Sequence, residues 1–299
     1  MKRLKLGFNK QSKHMKKTKL TSGLFIAPSF VGVSIFFLIP FCVIIYYAFV
    51  SSPVNGVFVG FDNFKKVLGN AAFQSAVKNT GVFSAISVPL AVVLSLLLAL
   101  VLNMKLPLRS QFRTAFLSPM MVPVASIVLI WQVLFHYNGS VNEILMKFGF
   151  DKIDWFKSQY AIIVVVILFL WKNLGYNMIL FMAAIGSIPQ DMIEVARLES
   201  ATELQIFFRI KLRYLSPAIM FVTIMSLINS FKIFREVYLL TTDYPYDAIY
   251  MLQHFMNNKF KNLDYQILSA SAIIMSLVMA VIIAILLIGE SRFGKDVEG

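Results

Sequence analysis

The stretch "GESRFGKD", Gly289 to Asp296, comes close to the phosphate-binding pattern G-x-x-x-x-G-K-[ST]. In that pattern backbone N–H groups cradle the phosphates, the lysine reaches them and a hydroxyl holds Mg²⁺. Here the hydroxyl position is Asp296, whose carboxylate would face phosphate oxygens. No strand leads into the stretch, and only three residues follow it. A basic tail is the better reading, and no ATPase activity or nucleotide cofactor is expected in this chain. His14, His136 and His254 are far apart, and there is no H-E-x-x-H, C-x-x-C or G-x-S-x-G. Neither a metal site nor a catalytic nucleophile is expected.

The remaining polar chemistry falls in two places. "IEVARLESATELQIFFRI", Ile193 to Ile210, carries Glu194, Arg197, Glu199 and Glu203 between two apolar runs. "SIPQ" (Ser187–Gln190) and "SATE" (Ser200–Glu203) both fit the S-x-x-E/Q capping box. They predict a helix after Ser187 running to Leu198, a corner near Ser200 and a second helix from Ala201. The connection spans 186–214, whereas helix–helix connections usually take about 2–8 residues. Capped twice and amphipathic, it suits docking against another protein; a solvated loop with incidental charges is the alternative. Elsewhere, Asn173, Tyr176 and Asn177 fall at i, i+3 and i+4, as do Ser226, Asn229 and Ser230. Such spacing places each set on one helix face. Asn, Ser and Tyr can hydrogen-bond sugar hydroxyls, and Trp171 and Tyr176 could stack on a sugar ring. Interhelical packing is the rival role for the same residues. Lys172 lies mid-span, where a charge costs about 2.5–3.5 kcal/mol on insertion scales and needs water, a carboxylate or a carbonyl. In the cluster Lys232, Arg235 and Glu236, the i, i+4 spacing of Lys232 and Glu236 allows a local pair.

The elements that must position these residues are apolar helices. The 299 residues are 58% hydrophobic and 14% charged, with mean hydropathy +0.74, against about 25% charged in a soluble domain. About 20 apolar residues cross a bilayer core. Six runs qualify: Leu24 to Val50, Val82 to Leu102, Phe116 to Phe135, Ala161 to Ile185, Leu215 to Phe231 with an extension to Leu240, and Ile267 to Ile288. The expectation is an all-α polytopic membrane protein with six transmembrane helices over 22–290, a basic segment 1–21 and a tail 291–299. Net charge is +13, but it follows the positive-inside pattern, which argues against nucleic acid. Lys2, Arg3, Lys5, Lys10, Lys13, Lys16, Lys17 and Lys19 place the N-terminus in the cytoplasm. Six crossings return the C-terminus there, with Lys105, Arg109, Arg113 and the 186–214 loop on the same side. The first run is too long for a cleaved signal and is expected to stay as a span. Cys42 alone forms no internal disulfide, and a sequon at Asn138–Ser140 falls on the outer side.

"SIPQDMIEVARLESATELQIFFRIKLRYLSPAI" resembles the cytoplasmic-loop signature of binding-protein-dependent ABC importer permeases. Ile188, Pro189, Glu194, Ala196, Ala201, Phe207, Ile210, Leu212 and Pro217 stand in register with it. Val195 departs from the EAA triplet, Glu199-Ser200 replaces the usual Asp-Gly, and Arg213 replaces a proline; the corner at Ser200 is expected to form through a cap instead of a flexible glycine. "LFIAPSFVGVSIFFLIPFCVIIYYAF" and "FREVYLLTTDYPYDAIYMLQHFMNNKF", followed by "SASA", are similar to the carbohydrate-type members, the maltose and glycerol-phosphate permeases. The resemblance implies a permease subunit working with a second permease subunit, two ATP-binding subunits that hold ATP and Mg²⁺, and an extracytoplasmic solute-binding protein that delivers a carbohydrate, an oligosaccharide by the subgroup. Glu194, Val195, Ala196, Glu199, Ser200 and Ala201 would couple to the ATPase, with the small Ala196 and Ala201 permitting close approach. Trp171, Asn173, Tyr176, Asn177, Ser226, Asn229 and Ser230 would line the path, and alternating access would move the solute. The alternatives are a permease of the same kind for a non-sugar solute such as glycerol-phosphate, and a self-sufficient ion-coupled carrier; the carrier finds little support, since there is no internal repeat and intramembrane carboxylates are nearly absent.

Overall fold

A computed structural model describes residues 25–104 and 107–293. The basic segment 1–21, Lys105, and the Gly294, Lys295 and Asp296 of the near-match to a phosphate loop lie outside the described residues. Among the described residues the secondary structure is helical apart from one isolated bridge, Val50 to Phe58. Five helices are long and apolar enough to cross a bilayer: α1 (Phe25–Phe49), α3 (Ala71–Asn103), α7 (Ala161–Gly186), the segment Ser216–Thr241, and α13, whose apolar part is Tyr265–Gly289. A sixth span forms if α4 (Arg109–Met121) and α5 (Val124–Leu134) count together, although they meet at 101°.

That bend corrects the expected straight span from Phe116 to Phe135. Pro123 has no N–H and disfavours helical backbone at the residue before it. Val122 and Pro123 are accordingly extended, with ψ of 130° and 138°. Pro119 sits inside α4 and leaves the Ala115 carbonyl without its usual donor. The Ser118 hydroxyl donates to that carbonyl at 2.8 Å. The second span also starts earlier than hydropathy indicates. The Asn70 side chain accepts from the N–H groups of Ala72 and Phe73, capping α3 at Ala71. The 33 residues of α3 reach about 50 Å, well beyond a core of about 30 Å.

The chain divides into two compact units. In the first, Met1–Lys65 with Tyr265–Ile273, the Asn63 amide donates to the Ala48 and Val50 carbonyls at 3.0 and 2.9 Å. These bonds satisfy carbonyls at the end of α1, where the helix leaves them free. The second unit, Lys66–Asp264 with Ile274–Gly299, is built on α3 and α7. The helices α10 (Ser216–Phe231) and α4 pack against them. One core group, at the loop end of the bundle, gathers Val92, Phe181, Ile185, Ile188, Ile193, Ile206 and Leu215. Another, at the opposite end, gathers Phe83, Phe169, Ile233, Val237, Ile249 and Met251. The segment 242–264 closes that opposite end. There Lys261 donates to Asp243 at 2.5 Å and to the Tyr238 hydroxyl at 2.9 Å. The Lys261 hydrogen bond holds the Asp243 carboxyl below its usual range. Burial pushes the His254 imidazole down to about 4, and its Nδ1 already accepts the Met251 N–H at 3.2 Å.

Helices α4 and α7 approach closely at Gly175. A Cβ built there would lie 1.8 Å from the Phe116 carbonyl oxygen and 2.5 Å from its carbon. Backbone cannot swing aside as a side chain can, so Gly175→Ala should separate α4 from α7. We expect a loss of about 1–3 kcal/mol, the range for overpacking, read as a lower melting temperature of the purified protein. Gly186→Ala, with nothing within 4 Å of its Cβ, is the matched control.

Candidate functional site: a loop anchored to the core and a cationic mid-span cavity

The 186–214 connection folds as α8 (Gln190–Leu198), a corner, α9 (Glu203–Ile206), and a π-helical turn Phe207–Lys211 leading through Leu212–Tyr214 to α10. Neither expected capping box forms. The Ser187 hydroxyl turns back to the Ala184 carbonyl at 2.8 Å, because Ser187 ends α7. Pro189, not Ser187, precedes α8. In the second case the cap lies two residues later. Thr202 accepts from the Gln205 N–H at 3.3 Å, and the Gln205 side chain accepts from the Thr202 N–H at 2.8 Å.

Ser200 makes the corner another way. Its φ is +62°, the left-handed region that favours glycine. Its N–H donates to the Arg197 carbonyl at 3.0 Å, and the Ala201 N–H donates to the Ala196 carbonyl at 2.9 Å. Together these are the two bonds of a Schellman helix end. The expectation that a cap would stand in for glycine is therefore wrong: serine takes the glycine conformation itself.

The loop is fastened from below. Ile193 and Ile206 are buried in the loop-end core, and Ala196 and Ala201 pack against it. The small size of these alanines thus serves contact with the protein's own bundle. The outward face carries Glu194, Val195, Leu198 and Glu199, with Leu198 85% exposed. Arg197 and Glu203 bridge the corner at 2.9 Å, an exposed pair worth at most about 1 kcal/mol. Among the described residues Glu194 and Glu199 have no ion-pair partner.

Midway along α7 the expected polar stripe meets the one on α10 directly. The Asn177 amide donates to the Ser226 hydroxyl at 2.9 Å, with both side chains buried. The Ser230 hydroxyl donates to the Leu227 carbonyl at 2.7 Å, which leaves it to accept from Ser84 of α3 at 2.8 Å. These three residues bind helix to helix. Asn173 and Asn229 also meet, the Asn229 amide donating to Asn173 Oδ1 at 3.0 Å, but both line a cavity of about 360 Å³. Its other polar walls are Lys172, Lys232, Arg235 and Glu236. Trp171 and Tyr176 are half exposed; the Trp171 ring lies 5.7 Å from that of Trp131.

The fifth span is interrupted beside this cavity. Helix α10 stops at Phe231, and α11 (Phe234–Thr241) restarts after Lys232 and Ile233. No proline or glycine announces the break. The pairing expected between Lys232 and Glu236 does not occur. Glu236, 3% exposed, takes the ammonium of Lys172 on α7 instead. Sequence spacing missed this partner because it lies 64 residues away. A larger cavity, about 590 Å³, opens beside α3 near Val77, Ala85, Val88 and Ile282. Its Thr80 and Ser84 hydroxyls are already engaged, so it offers a sugar little to hold.

Two outcomes follow. Ser200→Gly should relieve the left-handed strain and stabilise the loop by about 1 kcal/mol, visible as slower proteolysis at the corner, whereas Ser200→Val should accelerate it. Glu236→Gln should destabilise by about 1–3 kcal/mol, since it strands a partly hydrated ammonium. The double variant Lys172→Met/Glu236→Leu should recover most of that loss in thermal denaturation; a double-variant loss equal to the sum of the losses of Lys172→Met and Glu236→Leu alone would show that the pair contributes nothing.

The comparisons agree with this architecture. Residues 91–298 match the family described as binding-protein-dependent transport system inner membrane component. The sulfoquinovosyl glycerol transport system permease protein SmoG of Agrobacterium fabrum is 28% identical over 264 residues, 86% of each chain. The trehalose/maltose transport system permease protein MalF of Thermococcus litoralis is 30% identical over 241 residues, 80% of this chain and 81% of its own. A chain from a bacterial ABC transporter involved in import of the acidic polysaccharide alginate shares the fold, with TM-score 0.80 at 24% identity over 94% of this chain and 98% of that one. The chain belongs to the inner membrane components of binding-protein-dependent transport systems, as a multi-pass membrane protein.

Proposed function

We propose that this protein is one of two permease subunits of an ATP-driven importer for a carbohydrate, an oligosaccharide in size. An extracytoplasmic binding protein delivers the solute, and two ATP-binding subunits hold ATP and Mg²⁺ on the cytoplasmic side. The chain itself hydrolyses nothing, and both its termini are cytoplasmic. Relatives include permeases named for sulfoquinovosyl glycerol and for trehalose/maltose, which supports a sugar-like solute.

The observation that carries the reading is the 186–214 loop. Helix α8 is seated on the core through Ile193 while Val195, Leu198, Glu194 and Glu199 point away from it. An apolar ridge with flanking carboxylates suits a cleft on a partner with basic rims. Because the underside is packed and not hinged, a push on α8 passes to α3, α7 and α10 as rigid-body motion. That is the movement alternating access requires. Asn173, Asn229, Trp171 and Tyr176 would line the solute path; Asn177, Ser226 and Ser230 would hold its wall together.

Affinity purification should recover an ATPase and a second permease with the chain. Val195→Asp/Leu198→Asp should reduce ATPase recovery by about tenfold or more, as for centrally placed contacts. Recovery of the second permease should stay unchanged. In intact cells a cysteine at position 198 should react with an impermeant reagent only after permeabilisation. Labelling from outside, or full ATPase recovery in the double variant, would sink the assignment of α8.

A further inference from the structure

The solute's chemical class can be taken further, on the footing that this chain lines a carbohydrate path. The mid-span cavity presents three cations and one carboxylate. Glu236 is committed to Lys172. Lys232 lies in the interruption between α10 and α11 and Arg235 in the first turn of α11, and both are exposed and line the same cavity. Among the described residues neither has an ion-pair partner. Two positive charges therefore remain uncompensated in a cavity of about 360 Å³.

Depth makes this informative. Lys172 and Asn173 lie near the middle of α7, and Asn229 near the middle of Ser216–Thr241. Cations within a span are held only where a counter-charge or water compensates them. The cavity reaches mid-span at Asn173 and Asn229, so a solute is a better candidate for the counter-charge than a lipid phosphate. A neutral sugar offers hydroxyls, which Asn173 and Asn229 can meet, but nothing that answers two cations. Arg235 brings a planar fork suited to carboxylate, sulfonate or phosphate oxygens, and Lys232 a mobile point charge. We infer that the solute is an anionic carbohydrate, with an acidic group held by Lys232 and Arg235 while its hydroxyls meet Asn173 and Asn229.

The test uses the assembled permease–ATPase complex in nanodiscs, without binding protein, so that receptor selectivity does not enter. Cellobiouronic acid and cellobiose serve as matched acidic and neutral probes, followed by tryptophan fluorescence, since Trp171 adjoins Lys172 and packs on Trp131. Cellobiouronate should bind at least about tenfold more tightly than cellobiose, as charge-assisted hydrogen bonds imply. Inorganic sulfate should compete. Lys232→Gln/Arg235→Gln should bring the two sugars within about twofold of each other. Both residues are exposed in the cavity, so complex yield should hold. Equal binding of the two sugars, binding of neither up to about 10 mM, or a preference that survives in the double variant would each overturn the inference. If carboxylates of the second permease neutralise the cations, the wild-type complex shows no preference and the double variant loses that subunit, which also overturns it. A complex that assembles normally but fails the sugar comparison removes the anion assignment alone. A chain that purifies without ATPase removes the importer reading as well.

Discussion

Within a bilayer no water reaches the helix walls, so a polar side chain there must find a protein partner or a wet cavity. The Lys172–Glu236 pair is the most demanding case in this protein. Lys172 is one-third exposed and Glu236 almost wholly buried, so the pair marks the border between core and cavity. The pair lies beside the two-residue interruption of the fifth span, Lys232 and Ile233, between α10 and α11. Ile233 and Val237 then lock into the core beside Phe83 and Phe169. The cavity and its uncompensated cations lie at that interruption.

The loop obeys a parallel constraint. A coupling element transmits force only if its base does not yield. Ile188, Ile193, Ile206 and Leu215 join one core group with Phe181 and Ile185 of α7, so loop and span share their packing. The Schellman bonds at Ser200 close the end of α8 without a flexible hinge. Serine in the left-handed region carries strain of about 1–2 kcal/mol that glycine would avoid, and nothing in the structure requires a side chain at that position.

Much of this was legible in the sequence for simple reasons. The spans were visible because hydrocarbon demands long apolar runs, and the loop because charge and helix-favouring residues interrupt them. What was hidden depended on competition among local hydrogen bonds. The pattern S-x-x-Q at Ser187 is real, but the Ala184 carbonyl at the end of α7 claims that hydroxyl first. At the corner, Ser200 was spent on the turn, so Thr202 became the cap. The bend between α4 and α5 was signalled by Pro119 and Pro123 and outweighed by hydropathy in a straight-span reading. The break at Lys232 carries no such signal, and so neither the cavity nor the partner of Glu236 could be read from spacing.

The two polar stripes show why composition alone does not separate a packing role from a binding one. Asn177 and Asn173 are the same residue type one turn apart on α7. Asn177 meets Ser226 in a sealed contact. Asn173 meets Asn229 at a cavity wall, with its own amide donating to the Phe169 carbonyl at 2.8 Å. The difference arises from what stands next to each contact. Below, α3 and α10 close over the Asn177–Ser226 pair with Val92, Val222 and Met178. Above, the Asn173–Asn229 pair shares a cavity with the long cationic side chains of Lys172, Lys232 and Arg235. A membrane protein that must both hold its helices together and pass a polar solute can therefore use one residue type for both tasks. What each contact faces, a packed core or a cavity, decides which task the residue performs.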